Sequence, residues 1–489
     1  MSMRVSIRRC LMLGWIVAGL QVFAAGQDQP SQNPPSQTPP AQSSGDNSAR
    51  TAPATALSAI AGMQIEGGGE EDTNNDLPHI PALLGGRGTT MAFLSELERM
   101  NYIRAGLNVS TTYDDNPLLA STGAVGNASV SIFPSIRIEE STTRLRWTLG
   151  YAGGWTVNQK LANENQGSQN VKFDSEYRLT PHVSLRVAET FALTTGLFDA
   201  GNGAEVAGGT GPNLSLITPL ATQRSSVTTV EMNYHVALND LVGTSGSFYD
   251  LHYTNIPAGT EYLLTDTQTA TGSAFWLHRI FRGDWGGFSY RFERITSNPG
   301  GDETRVHSFL AADTVSFSKH FTVSGFVGPQ YSENVGLAPG GGAQLTQSNN
   351  WSVTGGAEGG WRNDRTSVFA GFSRSISDGG GVLGAVRLQT VNANFRRELV
   401  PGWAATLTAG YGTNQSITLA APGSASSINS TSAGFLLERN VGKSVGFRFG
   451  YIHDFQQQFG LTGAGTTLDA SRNRVFVTLA YQWSKPLGM

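Results

Sequence analysis

Several titratable residues stand at spacings that could do chemistry. Asp250 with His252, and His453 with Asp454, each place a carboxylate beside an imidazole, the arrangement by which a base is oriented in acid–base and nucleophilic catalysis. Neither pair comes with an identifiable nucleophile, so no catalytic residue is assigned and the chain is read as not an enzyme. His182, His235, His252, His278, His307, His320 and His453 show no HExxH or comparable ligand spacing, which leaves no metal set among them. Asp114-Asp115-Asn116-Pro117 could hold calcium at a loop mouth or simply form an Asx turn. Gly208-Gly209-Thr210-Gly211 has no helix after it and is no phosphate loop, and no cofactor site is found.

A larger set of charges is more regular. Arg104, Arg137, Glu139, Arg144, Arg146, Lys172, Asp174, Glu176, Arg178, Arg186, Glu231, His235, Arg291, Glu293, Glu358, Arg396, Glu398 and Arg448 recur opposite apolar residues in alternating stretches. If the stretches are strands, these side chains share one face, and in a closed barrel that face lines the lumen. Both signs are present in the set. The lumen is therefore expected to pass small hydrophilic solutes without strong preference for either ion sign, or to use the charges as cross-strand pairs that stiffen the interior.

The elements that position these residues are plainest around residues 169–195. Val171, Phe173, Ser175, Tyr177 and Leu179 alternate with Lys172, Asp174, Glu176 and Arg178. Thr180, Pro181 and His182 break the run, because proline fixes φ and donates no hydrogen bond. A second strand then sets Val183, Leu185, Val187, Phe191 and Leu193 against Ser184, Arg186, Thr190 and Thr194. In a soluble sandwich the oily face would meet another sheet; in a transmembrane barrel it meets lipid.

Composition favours the barrel. Of 489 residues only 14% are charged, against roughly a quarter in soluble proteins, yet the hydrophobic share is just 39%. Beyond the amino terminus no stretch approaches ~20 consecutive apolar residues, which excludes membrane-spanning helices. A net charge of −4 gives no reason to expect a nucleic-acid partner. Sixty glycines fall mostly inside the alternating stretches, where curvature and close backbone packing would use them.

The chain divides by character. Residues 1–25 read as a signal peptide: Arg4, Arg8 and Arg9 precede a short apolar run that ends on small residues. The single cysteine, Cys10, precedes that run, so the mature chain is expected to have no thiol. Residues 26–88 are a Pro-, Gln-, Ser- and Gly-rich periplasmic arm that cannot bury a core. Residues 89–101 form a short helix or lead-in that would plug or flank a pore, and residues 102–484 form the barrel, followed by a tail at 485–489.

Strands are expected at 102–113, 127–139, 143–158, 169–179, 183–195, 223–238, 241–254, 267–280, 284–295, 304–317, 320–332, 349–362, 365–377, 385–398, 402–414, 429–439, 444–456 and 472–484. Short turns alternate with long loops, the glycine-rich 378–384 being the one brief connection on the long side. That asymmetry puts the turns in the periplasm and the loops outside a closed antiparallel all-β transmembrane barrel of about eighteen strands. Tyr113, Trp147, Trp155, Trp285, Trp351, Trp361, Trp403, Tyr411, Tyr451, Tyr481 and Trp483 suit interfacial girdles, while Phe133, Phe326, Phe369 and Phe476 fall on the inward side.

Asn108 to Pro117, with Tyr113-Asp114-Asp115-Asn116 closing the first strand, resembles outer-membrane β-barrel proteins of the porin type in Gram-negative bacteria, some of them associated with exopolysaccharide operons. The final strand, with Val475, Val477, Leu479, Tyr481 and Trp483 on one side, resembles the closing strand through which the barrel-assembly machinery recognises its clients. The resemblance implies an outer-membrane location, lipid and hydrophilic solute as partners, and passage through the lumen; a homo-oligomer is left open. Two other readings follow from the same features: a surface-structural or adhesion barrel acting through its loops, and an outer-membrane component of exopolysaccharide export.

Overall fold

The computed structural model describes residues 101–161, 165–195, 221–254, 264–281, 284–298, 302–318, 320–337, 345–381, 383–417, 427–442, 444–459 and 467–487. The expected signal, arm and helix before residue 101 lie outside the described residues. Eighteen strands follow in order: β1 (Tyr102–Asp114), β2 (Asn127–Ser141), β3 (Leu145–Asn158), β4 (Gln166–Thr180), β5 (Val183–Thr195) and β6 (Thr222–Ala237). Next come β7 (Asp240–Thr254), β8 (Asp266–Phe281), β9 (Asp284–Asn298), β10 (Asp302–Ser318), β11 (Phe321–Leu337) and β12 (Leu345–Arg362). The last six are β13 (Thr366–Gly379), β14 (Leu383–Val400), β15 (Trp403–Ser416), β16 (Ser427–Val441), β17 (Val445–Phe459) and β18 (Thr467–Pro486).

Each strand pairs antiparallel with its neighbour in sequence, and β1 pairs with β18, which closes the sheet into an eighteen-stranded barrel. The closing seam runs from Tyr102↔Pro486 to Asp114↔Arg474, so the residues expected as a tail partly extend the last strand. Closure matters because an unpaired backbone group in hydrocarbon costs several kcal/mol, and a ring of strands has no edge.

The two faces separate as the alternation requires. On β18 Val477, Leu479, Tyr481 and Trp483 are exposed, whereas Arg474, Phe476, Thr478 and Ala480 are buried. The buried face is the inward one, since it shares the register of Asp114 and the buried Asn108 across the seam. Inward rings lie flat on glycines of the next strand: a side chain at Gly154, Gly243 or Gly450 would collide with Phe133, Phe275 or Phe476. The glycine content therefore serves close approach of side chain to backbone.

One region leaves this plan. The β12–β13 ladder runs only from Arg362↔Ser367 to Gly355↔Arg374, although β12 continues to Leu345 against β11 and β13 continues to Gly379 against β14. Past Arg374 the β13–β14 ribbon turns into the barrel. Its tip docks on the far wall, where the Tyr253 hydroxyl donates to the Gly380 carbonyl at 2.8 Å and the Thr265 amide donates to the Gly381 carbonyl at 2.6 Å. Gly380 and Gly381 take φ of +57° and +75°, which a side chain would resist.

Candidate functional site: the charged lumen and its inward ribbon

The register decides which of the alternating charges meet. Glu176, Arg186 and Glu231 stand directly opposite one another across β4, β5 and β6. Arg186 donates from Nε to Asp174 Oδ1 at 3.2 Å, pairs through Nη2 with Asp174 Oδ2, and approaches Glu231 with Nη1 at 3.7 Å. Arg146 is aligned with Glu176, and Lys172 and Arg178 complete the row on β4. A guanidinium between two carboxylates offsets much of the local charge, with the edge toward Asp174 making the hydrogen bonds.

The other residues of the set form smaller groups. Arg137 meets Glu139 at 2.6 Å and Arg104 meets it at 3.4 Å, joining β1 to β2. Arg291 and Glu293, two apart on β9 and both buried, pair at 2.6 Å. Glu358 accepts from Ser324 Oγ at 2.8 Å. Arg396 and Arg448 converge on a shared carboxylate, Glu438 of β16, the latter at 3.2 Å. His235 sits half-buried at the short-turn end of β6, and Glu398 borders an irregularity at the start of the β14–β15 ladder. Arg144, expected on the inward face of the third strand, lies instead in the exposed turn before Leu145. The strand begins later than the alternation suggested because Thr142 caps the turn, its hydroxyl bonding to the Leu145 amide and carbonyl.

Other inward charges went unmarked in the sequence reading. Arg472 binds Asp114 and Arg474 binds Asp454 at 2.6 Å, with Ser432 Oγ donating to the same Asp454 at 2.8 Å. Their signal was available, since both arginines share the parity of Thr478 and Ala480 on the last strand. Asp114 and Asp115, weighed as a calcium site, hold the closing seam: Asp115 accepts from the Asn473 amide at 2.6 Å and from its side chain at 2.7 Å. Among the described residues no group of acidic, histidine or cysteine side chains is arranged to hold a metal.

The two carboxylate–imidazole pairs do not assemble. His252 bonds Asp266 on β8, while Asp250 accepts from Gln268 Nε2 at 3.0 Å. His453 faces Asn473 at 2.9 Å on the outer side, while its neighbour Asp454 points inward to Arg474. Adjacent strand residues point to opposite faces, which separates His453 from Asp454, whereas Asp250 and His252, two apart on one face, are each taken up by a different residue of β8. Trp285, expected in the girdle, is 3% exposed and packs inward with Leu241, Phe275, Leu277, Leu310, Ala312 and Phe326. It stands six residues before Arg291, and an even separation on one strand means the same face.

The inward ribbon narrows this lumen by packing on both sides. One face sets Ile376 and Ala385 against Ile295 of β9 and Val306 of β10. The other sets Leu383 and Val386 against Ile428, Ala470 and Leu119. Leu119 has φ of +51° and is 1% exposed, a strained backbone held in place by that contact. At the tip Asp378 accepts from Ser377 Oγ and from the Gly380 amide, both at 3.2 Å. This partition crosses the interior from the β12–β13 seam to β7.

No family model and no curated sequence matches the chain. Among solved structures it is similar to the outer membrane protein opdK from Pseudomonas aeruginosa, at 11% identity and a TM-score of 0.40, over 78% of this chain and 99% of that one. It is also similar to OccAB4 from Acinetobacter baumannii, at 10% identity and a TM-score of 0.42, over 78% of this chain and 99% of that one. The ferric citrate transporter FecA is similar at 8% identity and a TM-score of 0.39, over 79% of each chain.

Proposed function

We propose that the protein is an outer-membrane channel for small hydrophilic solutes, narrowed by the β13–β14 ribbon and lined by balanced charge. The observation that carries this reading is the closed ring of eighteen strands with exposed apolar rows outside and paired charges inside. Its outer rows are solvated by lipid hydrocarbon, and a ring of this size encloses more space than side chains alone fill. The short-turn end then faces the periplasm, residues 1–25 serve as the export signal, and β18 is the strand presented to the assembly machinery. Because the arginines of the wall described above are matched by carboxylates, the field inside orients dipoles and polar groups without excluding either ion sign.

Conductance of the purified protein in planar bilayers tests the reading. Discrete ohmic steps with a reversal potential near zero in a potassium chloride gradient are expected. A barrel that stays silent, including after removal of residues 27–100, would overturn it in favour of a structural role for the loops.

A further inference from the structure

The wall is open on one side of the inward ribbon. Beyond Gly355↔Arg374, β12 runs on to Leu345 paired with β11, and no described strand pairs with its other edge. The last tie is the Thr354 hydroxyl donating to the Arg374 carbonyl at 2.8 Å. β14 and β15 stay joined along the same stretch, from Val386↔Ser416 onward, so among the described strands the sheet has parted at this seam alone and rolled inward behind it. A bare strand edge in lipid is costly.

What flanks the edge has a definite chemistry. Arg374 and Arg387 lie on the ribbon face that carries Ile376 and Ala385, the face turned toward β9 and β10 and hence toward the parted seam. Their charges are close enough to act on one another. On the outer wall a row of rings leads to the same edge: Tyr290 meets Phe309 at 4.9 Å, and Tyr331 of β11 meets Trp351 of β12 at 5.1 Å. Trp351 is 66% exposed and stands on the unpaired length of β12. Two guanidiniums at an opening bordered by aromatic surface suit a molecule with an anionic head and an apolar chain.

We propose that the gap between β12 and the β13–β14 ribbon is a lateral portal through which a long-chain carboxylate passes between the lumen and the bilayer. The head binds Arg374 and Arg387, and the chain lies along Trp351 and Tyr331. The inference rests on the channel reading and names a second class of cargo for the same barrel.

The test uses the full chain in phosphatidylcholine vesicles with a long-chain fatty acid carrying a diazirine on its tail. Photolabel is expected on residues 345–354 and on the flanking rings, reduced about tenfold in an R374Q/R387Q variant and kept in R374K/R387K, since the charge and not the fork alone holds the head. Label spread evenly over the outer wall, or unchanged in R374Q/R387Q, would overturn the portal. Loss of the label when phosphatidylglycerol is added would also overturn it, because the site would then belong to a phospholipid phosphate. Heat-modifiable migration of each variant shows that it has folded. Conductance of the same samples separates the two readings: a conducting barrel without label at the seam loses only the portal, while a labelled but silent one loses the channel.

Discussion

The β4–β5 hairpin closes at the short-turn end and the β13–β14 hairpin at the opposite end, and only the second leaves the wall. β4–β5 stays in the wall throughout, paired with β3 from Leu145↔Tyr177 to Thr156↔Gln166 and with β6 from Val183↔Tyr234 to Thr195↔Thr222. β13–β14 loses β12 at Arg374 and folds across the interior. The side-chain rows of the two hairpins differ as well. The outward row of β4 is Val171, Phe173, Ser175 and Tyr177, whereas the corresponding row on the distal half of β13–β14 mixes Arg374, Arg387 and Gln389 with Ile376 and Ala385. The inward row there holds Val386 and Leu388 in place of charges. Two arginines on the nominal lipid side disfavour the wall, and apolar groups on both faces of the ribbon find partners inside the barrel.

Removing the tip should have the largest effect. Replacing residues 377–383 by a two-residue turn takes away the partition, and single-channel conductance should rise at least about twofold, since the narrowest section limits the current. An unchanged conductance would mean that the ribbon does not narrow the path. A pair of new charges sharpens the comparison next. Val187→Arg on β5 should cost about 3 kcal/mol in reversible unfolding from vesicles, the cost of an arginine on a lipid-facing strand, whereas Gln389→Arg on β14 should cost less than about 1 kcal/mol. Equal costs would put both positions in the same surroundings.

The closing seam should be intermediate. Asp114→Ala leaves the buried Arg472 without its carboxylate and should destabilise the barrel by about 2 kcal/mol, seen as a lower temperature for loss of heat-modifiable migration. The smallest effect is expected from Tyr253→Phe, which deletes only the hydroxyl bond to Gly380. About 1 kcal/mol is lost locally, global stability stays within error, and current noise increases as the tip loosens.

Much of the wall was legible in the residues. The strands expected at 183–195, 223–238 and 241–254 agree with β5, β6 and β7 to within one residue, because a period of two is enforced wherever one face meets lipid. β18 reaches Pro486, beyond the expected end, because pairing with Tyr102 extends the ladder where no further apolar residue marks it. The glycine-rich 378–384 stood out by its brevity among the long connections, yet nothing local said where so short a loop would go.

Alternation by itself determined which side chains share a face, because that follows from the geometry of a single extended segment; together with the low charge and the alternation of short turns with long loops it pointed to a barrel of about eighteen strands. Only the tertiary structure decided that Glu438 serves both Arg396 and Arg448, that Asp114 reaches Arg472 at the far end of the chain, and that the β13–β14 ribbon crosses to Tyr253. Those meetings depend on register and on closure across the ring, quantities that arise between strands and leave no periodic trace in any one of them.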